Sequence, residues 1–418
     1  MEHALSLSYA LDTFFLLMSG ALVMWMAAGF TMLEAGLIRS KNTTDILAKN
    51  IGLFAIASIM YLLIGYQLMY PVEVINSFLP ELQLFTSADN TVADVLVGGE
   101  NAPTSANMSD FFFKVVFVAM AMSVISGAVA ERMKLMAFFA FAVVFTGVIY
   151  PLQGYWVWGD GFLERLGFLD FAGAGVVHLA GASAALAGVL LLGARHGKYG
   201  KRGEVRVIAG ANLPLATLGT FILWFGWFGF NGGSALQIAN VDAANAVAMI
   251  FVNTLLAGSG GAIGALWVSK LKFGKVDLTL MLNGTLAGLV AISAEPLTPT
   301  AFEATLIGLA AGVLVVFATL FIDSKLKLDD PVGALSVHGI AGAFGLIAVT
   351  FTHPDASLVA QLTGIGVIFS WVFATSLLLW FIIKKITPIR VTEEEEYVGV
   401  DQSECGMRAY PEFTRIER

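Results

Sequence analysis

Long apolar runs, separated by polar connections that are mostly short, make up most of the chain. Each run is about 17 residues long or longer, which is enough for a helix to cross the hydrocarbon core of a bilayer. The pattern therefore predicts an all-α polytopic membrane protein with eleven transmembrane helices. Their predicted ranges are 9–35, 46–70, 110–130, 135–153, 171–194, 212–232, 244–268, 278–294, 301–322, 332–351 and 357–383.

The composition supports a membrane protein. Hydrophobic residues make up 57% of the chain and charged residues only 13%, with a mean hydropathy of +0.80. Soluble domains carry about 25% charged residues. The single cysteine, Cys405, excludes an intrachain disulfide and a metal site built from several cysteines. No pattern in the sequence indicates nucleic-acid binding, so we expect the lipid bilayer and a small solute as partners.

Basic residues predict the orientation in the membrane. All Lys and Arg residues except Lys114 and Arg165 lie in or beside the connections after odd-numbered runs, or in the C-terminal tail. The long connection 71–109 contains none. Cytoplasmic connections carry an excess of Lys and Arg. We therefore expect the N-terminus outside and the tail in the cytoplasm, as an odd number of helices requires.

Two nine-residue stretches, 170–178 and 330–338, share one pattern: an Asp, seven small or apolar residues and a His. In the predicted topology the first stretch runs inward from Asp170, and the second runs outward from Asp330. Eight helical residues rise about 12 Å in a hydrocarbon core about 30 Å thick. Both His178 and His338 should therefore lie near the midplane.

Because the two stretches enter from opposite sides, the chain should contain two inverted repeats of five helices. Helices 1–5 and 6–10 would surround a central pore, with the eleventh helix outside the repeats. Inverted repeats with a midplane site are a recurring transporter architecture. A histidine inside a membrane span is a functional candidate by default.

Each of these candidate functional residues also has a purely structural interpretation. A membrane histidine can be a hydrogen-bonded packing residue, and Asp170 and Asp330 are placed to cap helix starts. Two histidines without a third ligand make a poor zinc site, so we predict no metal and no cofactor. The glycine-rich stretch 258–264 favours close helix packing over nucleotide binding. Glu34 lies where basic residues cluster, so we expect an ion pair or a cap.

Five motifs make the chain resemble the ammonium transporter family, the Amt/Mep/Rh group, and its bacterial Amt branch in particular. They read AGFTMLEAG at 28–36, GAVAER at 127–132, DFAGAGVVH at 170–178, GWFGFN at 226–231 and VHG at 337–339. The resemblance covers essentially the whole chain. It implies transport of ammonium or ammonia, with no enzyme activity, in the bacterial inner or plasma membrane.

The resemblance also implies roles for individual residues. The implied substrate-binding residues of an outer site are Trp158, Ser234, Phe113 and Phe117. The implied pore gate is formed by Phe117 and Phe230, and the implied pore pair and proton relay by His178 and His338. The implied structural residues near the site are Asp170, Asp330 and Asn231.

Elementary chemistry agrees with these roles. Aromatic faces attract a cation by ~0.5–2 kcal/mol, and the Ser234 hydroxyl can accept a hydrogen bond that ammonium donates and potassium cannot. A dry pore penalises a charge, but ammonium can lose its charge by losing a proton. Two neutral imidazoles in contact can each donate and accept, and so can pass that proton on.

Lys114 departs from the family pattern, in which many relatives carry an uncharged polar residue. Its charge would repel ammonium if it faced the outer site. We therefore predict that Lys114 extends along the helix surface to the outer interface and keeps its charge in water. Removing the charge should then change transport little.

The polar C-terminal segment resembles the family tail, which packs beneath the pore mouths and in many bacterial relatives works with a PII-type signalling protein. We predict a membrane domain at 1–386 and a cytoplasmic regulatory tail at 387–418. Within the first, repeat one spans about 9–194, repeat two about 212–351 and helix eleven about 357–383. The acidic run 393–396 alone is typical of a solvated tail. The family also implies a homotrimer.

Two other functions stay open. A neutral ammonia or gas channel of Rh type would not need a cation site, so Trp158 and the phenylalanine pair disfavour it. An ammonium sensor, with transport secondary, would need a partner because the short tail holds no catalytic domain.

Overall fold

The computed structural model describes residues 2–84, 88–99 and 102–413. Eleven apolar helices, α1 to α11, dominate this part of the chain. Their bounds are α1 Glu2–Leu37, α2 Ser40–Met69, α3 Asn107–Ala128, α4 135–158, α5 Ala174–Leu192, α6 Leu213–Gly233, α7 Val241–Phe273, α8 Leu278–Ile292, α9 Ala301–Leu326, α10 Leu335–Thr352 and α11 Leu358–Ile386.

These helices follow the predicted hydrophobic runs. Most boundaries agree to within about five residues, and the largest difference is the start of α1 at Glu2. All are long and apolar enough to cross a membrane except α8, which has 15 residues. At 1.5 Å per residue α8 rises about 22 Å. Nearly all of α8 is buried, with α7 and α9 packed against it.

Small residues allow α7 to pack closely against its neighbours. A Cβ atom added at Gly260 would lie 2.3 Å from the carbonyl oxygen of Thr305 on α9, and one at Gly261 would lie 2.1 Å from that of Gly284 on α8. The stretch 258–264 is therefore a packing surface, as its composition favours.

The long connection before α3 forms a cover over one end of α4. It contains a hairpin of two short antiparallel strands, β1 Val74–Asn76 and β2 Leu79–Pro80. The Trp156 indole N–H donates to the Phe78 carbonyl oxygen at 2.8 Å, and the Tyr155 hydroxyl donates to that of Asn76 at 2.8 Å. These contacts mark the end of the molecule that we call the Trp158 side.

The tail docks at the opposite end, which we call the tail side. Two short helices, α12 Glu393–Val398 and α13 Val400–Cys405, lie against the first turns of α2 and α4 and against the connection after α5. The contacts include Lys41 Nζ to the Glu396 carbonyl oxygen at 2.7 Å and the Leu135 N–H to Glu404 Oε2 at 2.9 Å. The tail is thus packed here through α12 and α13, whereas Arg415 and Arg418 lie outside the described residues.

Candidate functional site

A continuous column of aromatic and imidazole rings runs through the interior of the helix bundle. In order the rings are Trp158, Phe117, Phe230, His178, His338 and Phe30, with centroid distances between neighbours of 6.4, 4.3, 5.3, 5.1 and 5.9 Å. The column joins a cavity on the Trp158 side to a cavity on the tail side.

The two histidines of the repeated motif meet at the centre of this column. Nδ1 of His178 lies 3.2 Å from Nδ1 of His338, which is hydrogen-bond distance, and the rings stack at an interplanar angle of 25°. Their exposed fractions are 0% and 4%. Nε2 of His178 is buried without a hydrogen-bond partner among the described residues. One ring can therefore donate through Nδ1 while the other accepts.

Each histidine lies in a single π-helical turn that begins α5 or α10, at Ala174–Leu179 and Leu335–Ile340. A glycine with positive φ precedes each turn, with φ of 108° at Gly173 and 82° at Gly333. L-residues with a side chain rarely adopt this conformation. The two motifs thus build the same local structure, and π turns are frequent at functional sites.

The motif aspartates organise these turns. Asp170 Oδ2 accepts hydrogen bonds from the N–H groups of Gly175 and Val176 at 2.9 and 2.8 Å. Asp330 Oδ2 accepts from the N–H of Leu335 at 2.7 Å. Burial raises the pKa of both carboxyls, that of Asp170 to about 7, against the opposing effect of the backbone donors. Both residues therefore act on the backbone that carries the histidines.

The cavity on the Trp158 side, here called the aromatic cavity, contains the predicted substrate-binding residues. Its lining consists of Phe113, Lys114, Phe117, Trp158, Glu164, Phe171, Ser234 and Leu236. Trp158 is held by its indole N–H, which donates to the Asp170 carbonyl oxygen at 2.8 Å. The Ser234 hydroxyl donates to the Phe230 carbonyl oxygen at 2.8 Å, so its lone pairs remain available to accept.

Lys114 also lines the aromatic cavity, so the prediction that it extends away to the outer interface is wrong. Its Nζ lies 4.8 Å from the ring centroid of Tyr70 and 5.7 Å from that of Trp158. Both distances are in the range of cation–π contacts. Sequence periodicity gave no signal for this, because every residue of α3 from Val115 to Ala128 is buried and no face is distinguished.

Glu34 lies at the other end of the column, in the tail-side cavity together with Phe30 and His338. The Ser126 hydroxyl donates to its carboxylate at 2.6 Å, and the Asn50 amide donates to it at 3.0 Å. These neutral donors hold Glu34, rather than the ion pair or helix cap expected from the sequence. Glu34 is therefore a buried carboxyl group that lies beside the ring column and has neutral hydrogen-bond donors as neighbours.

Two further residues contact the histidine pair and received no role from the sequence. The Trp227 ring stacks on His178 with a centroid distance of 5.3 Å, and its indole N–H donates to Ser293 Oγ at 2.9 Å. Phe30 contacts His338. The GWFGFN and AGFTMLEAG motifs contain them, but spacing alone does not assign contacts. Asn231, by contrast, points its amide at Thr254 Oγ1, 3.0 Å away.

The comparisons with known proteins decide the family. The family model described as Ammonium Transporter Family matches residues 14–410. The chain belongs to the ammonium transporter family. It is 38% identical to ammonium transporter Amt2 of Archaeoglobus fulgidus, over 97% of this chain and 89% of that protein. It is 38% identical to a putative ammonium transporter of Synechocystis, over 96% and 89%.

Solved structures of Amt and Mep proteins share the fold. A structure described as a sensor Amt protein superposes with a TM-score of 0.86 at 34% identity, covering 96% of this chain and 99% of that chain. The Mep2 structure of Candida albicans gives a TM-score of 0.82 at 27% identity, covering 99% and 93%. As a member of the ammonium transporter family, this chain is a multi-pass membrane transport protein rather than an enzyme.

Proposed function

We propose that this chain moves ammonium across the membrane by binding the cation in the aromatic cavity, removing its proton and passing ammonia along the ring column. The single observation that carries the proposal is the 3.2 Å contact between Nδ1 of His178 and Nδ1 of His338, inside a column of rings with a cavity at each end.

Binding would use the Trp158 face beside the rings of Phe113 and Phe117. A cation on an aromatic face gains ~0.5–2 kcal/mol, the more so where water is excluded. Ser234 would accept one N–H of ammonium, which distinguishes ammonium from potassium because potassium has no hydrogen to donate.

The gate would be the stacked pair of Phe117 and Phe230. Their ring centroids are 4.3 Å apart and both side chains are buried, so ring rotation must precede passage. A charge in this apolar stretch lacks solvation. The gate therefore disfavours any ion that keeps its charge, whereas ammonium can give its proton to His178, whose ring centroid lies 5.3 Å from that of Phe230.

The histidine pair would carry the proton. His178 Nε2 would accept the proton that ammonium releases, while its Nδ1–H passes a proton to Nδ1 of His338. The N–H bond broken in ammonium is thus replaced by one on an imidazole, and the positive charge moves to His338. Its Nε2–H can release a proton on the tail side, which leaves both rings neutral, with one proton on His178 Nε2 and one on His338 Nδ1.

The proposal includes the topology inferred from charge and the repeated motif. The N-terminus lies outside and the tail in the cytoplasm, with α1–α5 and α6–α10 as inverted repeats and α11 beside them. Residues 1–386 form the membrane domain and 387–418 a regulatory tail that can meet a PII-type protein. We also propose a homotrimer in the bacterial inner or plasma membrane, on the strength of the family membership.

A sensor function is the second candidate. The similarity to a protein described as a sensor Amt protein favours it. Ammonium binding by the purified chain without ammonium flux would support sensing. Ammonium flux without any electrical current would instead support a neutral gas channel of Rh type.

The deciding experiment measures currents from the purified protein in liposomes under an ammonium gradient. His178→Ala and His338→Ala should each lower the ammonium current by about 100-fold or more, the scale of a lost proton-transfer group. His196→Ala is the matched control, since its side chain is 65% exposed and lies on the tail side. Normal currents and unchanged ammonium-over-potassium selectivity in both pore variants would overturn the relay.

A further inference from the structure

We propose that Lys114 is a resident cation of the aromatic cavity, whose ammonium group occupies the contact between Tyr70 and Trp158 and sets the concentration at which external ammonium can enter. This inference rests on the proposed function, because it assumes that ammonium binds against Trp158.

The position of Nζ carries the inference. It lies 4.8 Å from the Tyr70 centroid and 5.7 Å from the Trp158 centroid, so one charge contacts two aromatic faces. A lysine side chain ends in a primary alkylammonium group. Its head group therefore offers these faces the same chemistry as ammonium or methylammonium would.

No direct ion pair forms at Lys114 among the described residues, although the Asp110 charge acts on it from more than 4.0 Å away. Within 4.0 Å its Nζ meets no carboxylate oxygen there, and no hydrogen bond from it is formed. Asp110, one turn earlier on α3, accepts a hydrogen bond from the Tyr66 hydroxyl at 2.8 Å. Glu164 lines the same cavity but accepts from the Asp160 N–H at 2.9 Å. The three N–H donors of Lys114 are thus left for the cavity itself.

Ammonium bound at Trp158 would lie close to this charge. Two unit charges about 6 Å apart repel enough to weaken binding about 3-fold in water-like surroundings and about 100-fold at the effective dielectric constant typical of a protein surface. Ammonium that instead displaces Lys114 must compete with a tethered group at high local concentration. Either route raises the concentration needed for half-saturation.

The test compares the half-saturation concentration for ammonium currents in liposomes at low ionic strength. Lys114→Gln and Lys114→Met should lower it by about 3- to 100-fold, and Lys114→Arg should leave it near the original value. The gain should shrink in high salt, because screening reduces the repulsion that the variants remove. Lys272→Gln is the matched control. Lys272 lies on α7, outside the aromatic cavity, and its Nζ also contacts an aromatic ring, that of Phe317 at 5.8 Å.

The outcomes separate this inference from the proposed function. An unchanged half-saturation concentration in Lys114→Gln, together with a clear shift in Trp158→Leu, would overturn the resident cation and leave ammonium binding at Trp158 intact. If neither variant shifts the curve and the histidine variants conduct normally, the proposed function itself fails. A shift in Lys272→Gln equal to that in Lys114→Gln would assign the effect to overall charge and overturn the inference.

Discussion

Trp158 is positioned by contacts that a lipid-facing anchor does not need. Its indole N–H donates to the Asp170 carbonyl oxygen, and its ring meets Phe117 edge-on at 6.4 Å. Asp170 also holds the turn that carries His178. Asp170 thus connects the aromatic cavity with the histidine pair.

Replacing Trp158 by Leu removes the aromatic face while keeping an apolar side chain. Loss of a cation–π contact of ~0.5–2 kcal/mol should raise the half-saturation concentration for methylammonium by about 2- to 30-fold. Uptake of methylammonium into liposomes measures this change. Trp267→Leu is the control, since Trp267 is 65% exposed on α7. A curve that does not move would return Trp158 to the role of an interfacial anchor.

Residue-level chemistry was predictable where a motif fixes the spacing. The repeated Asp and His positions indicate that His178 and His338 meet, and they do so at 3.2 Å. Lys114 instead lines the aromatic cavity, and Glu34 is held by neutral donors rather than by an ion pair or a helix end. Each lies on a helix that is buried over much of its surface, so alternation of polar and apolar positions does not reveal which way a side chain points.

At the scale of elements, hydropathy predicts the helices well because desolvation cost dominates in a bilayer. The π-helical turns at Ala174–Leu179 and Leu335–Ile340 were not predictable from it. Such a turn shifts the backbone hydrogen bonds by one residue and leaves no trace in apolar composition. The hairpin in the connection before α3 was not predictable either, because its strands are only three and two residues long.

The turn before α10 gives the element-scale prediction. Gly333 has φ of 82°, and an added Cβ would lie 2.5 Å from the Asn283 amide nitrogen. Gly333→Ala should cost about 1–2 kcal/mol of backbone strain and shift the π turn that carries His338. We expect ammonium flux per folded protein to fall about tenfold or more, because small displacements of reacting groups are costly.

Gly167→Ala is the control for strain alone. Gly167 has φ of 83°, and an added Cβ would meet nothing within 4 Å. Both variants should lower the melting temperature, but only Gly333→Ala should lower flux. Equal flux in the two variants would show that the turn does not set the position of His338.

At the scale of the whole molecule, a buried ionic network holds the tail side together beneath the column. Arg195 donates to Glu131 Oε1 at 2.9 Å and to Asp329 Oδ1 at 2.8 Å. Burial raises the pKa of Asp329, but the hydrogen bonds and charge of Arg195 outweigh burial and hold the pKa at about 2. The stabilisation from this carboxylate is lost only as the pH falls through about 2, so the network persists at neutral pH.

Among the contacts that join the tail to this end of the molecule are those of Arg390 and Glu396, which also pair with each other. Arg390 donates to Glu396 Oε2 at 2.7 Å and to the Ala194 carbonyl oxygen at 2.9 Å. The other oxygen of Glu396 accepts from the His196 N–H at 2.6 Å. Glu396 thus ties α12 to the connection after α5, and its side chain is 2% exposed.

Glu396→Gln should therefore release the tail. The change removes a charge-assisted hydrogen bond worth about 1.5–3 kcal/mol, which raises the undocked fraction about tenfold or more. Limited proteolysis within 387–413 measures that fraction when cleavage is slower than redocking. Glu393→Gln is the matched control on the same helix, because the Glu393 side chain is 86% exposed and lies 4.0 Å from the His196 ring. Equal cleavage rates in the two variants would contradict a docked tail, whereas faster cleavage with unchanged ammonium current would separate tail docking from transport.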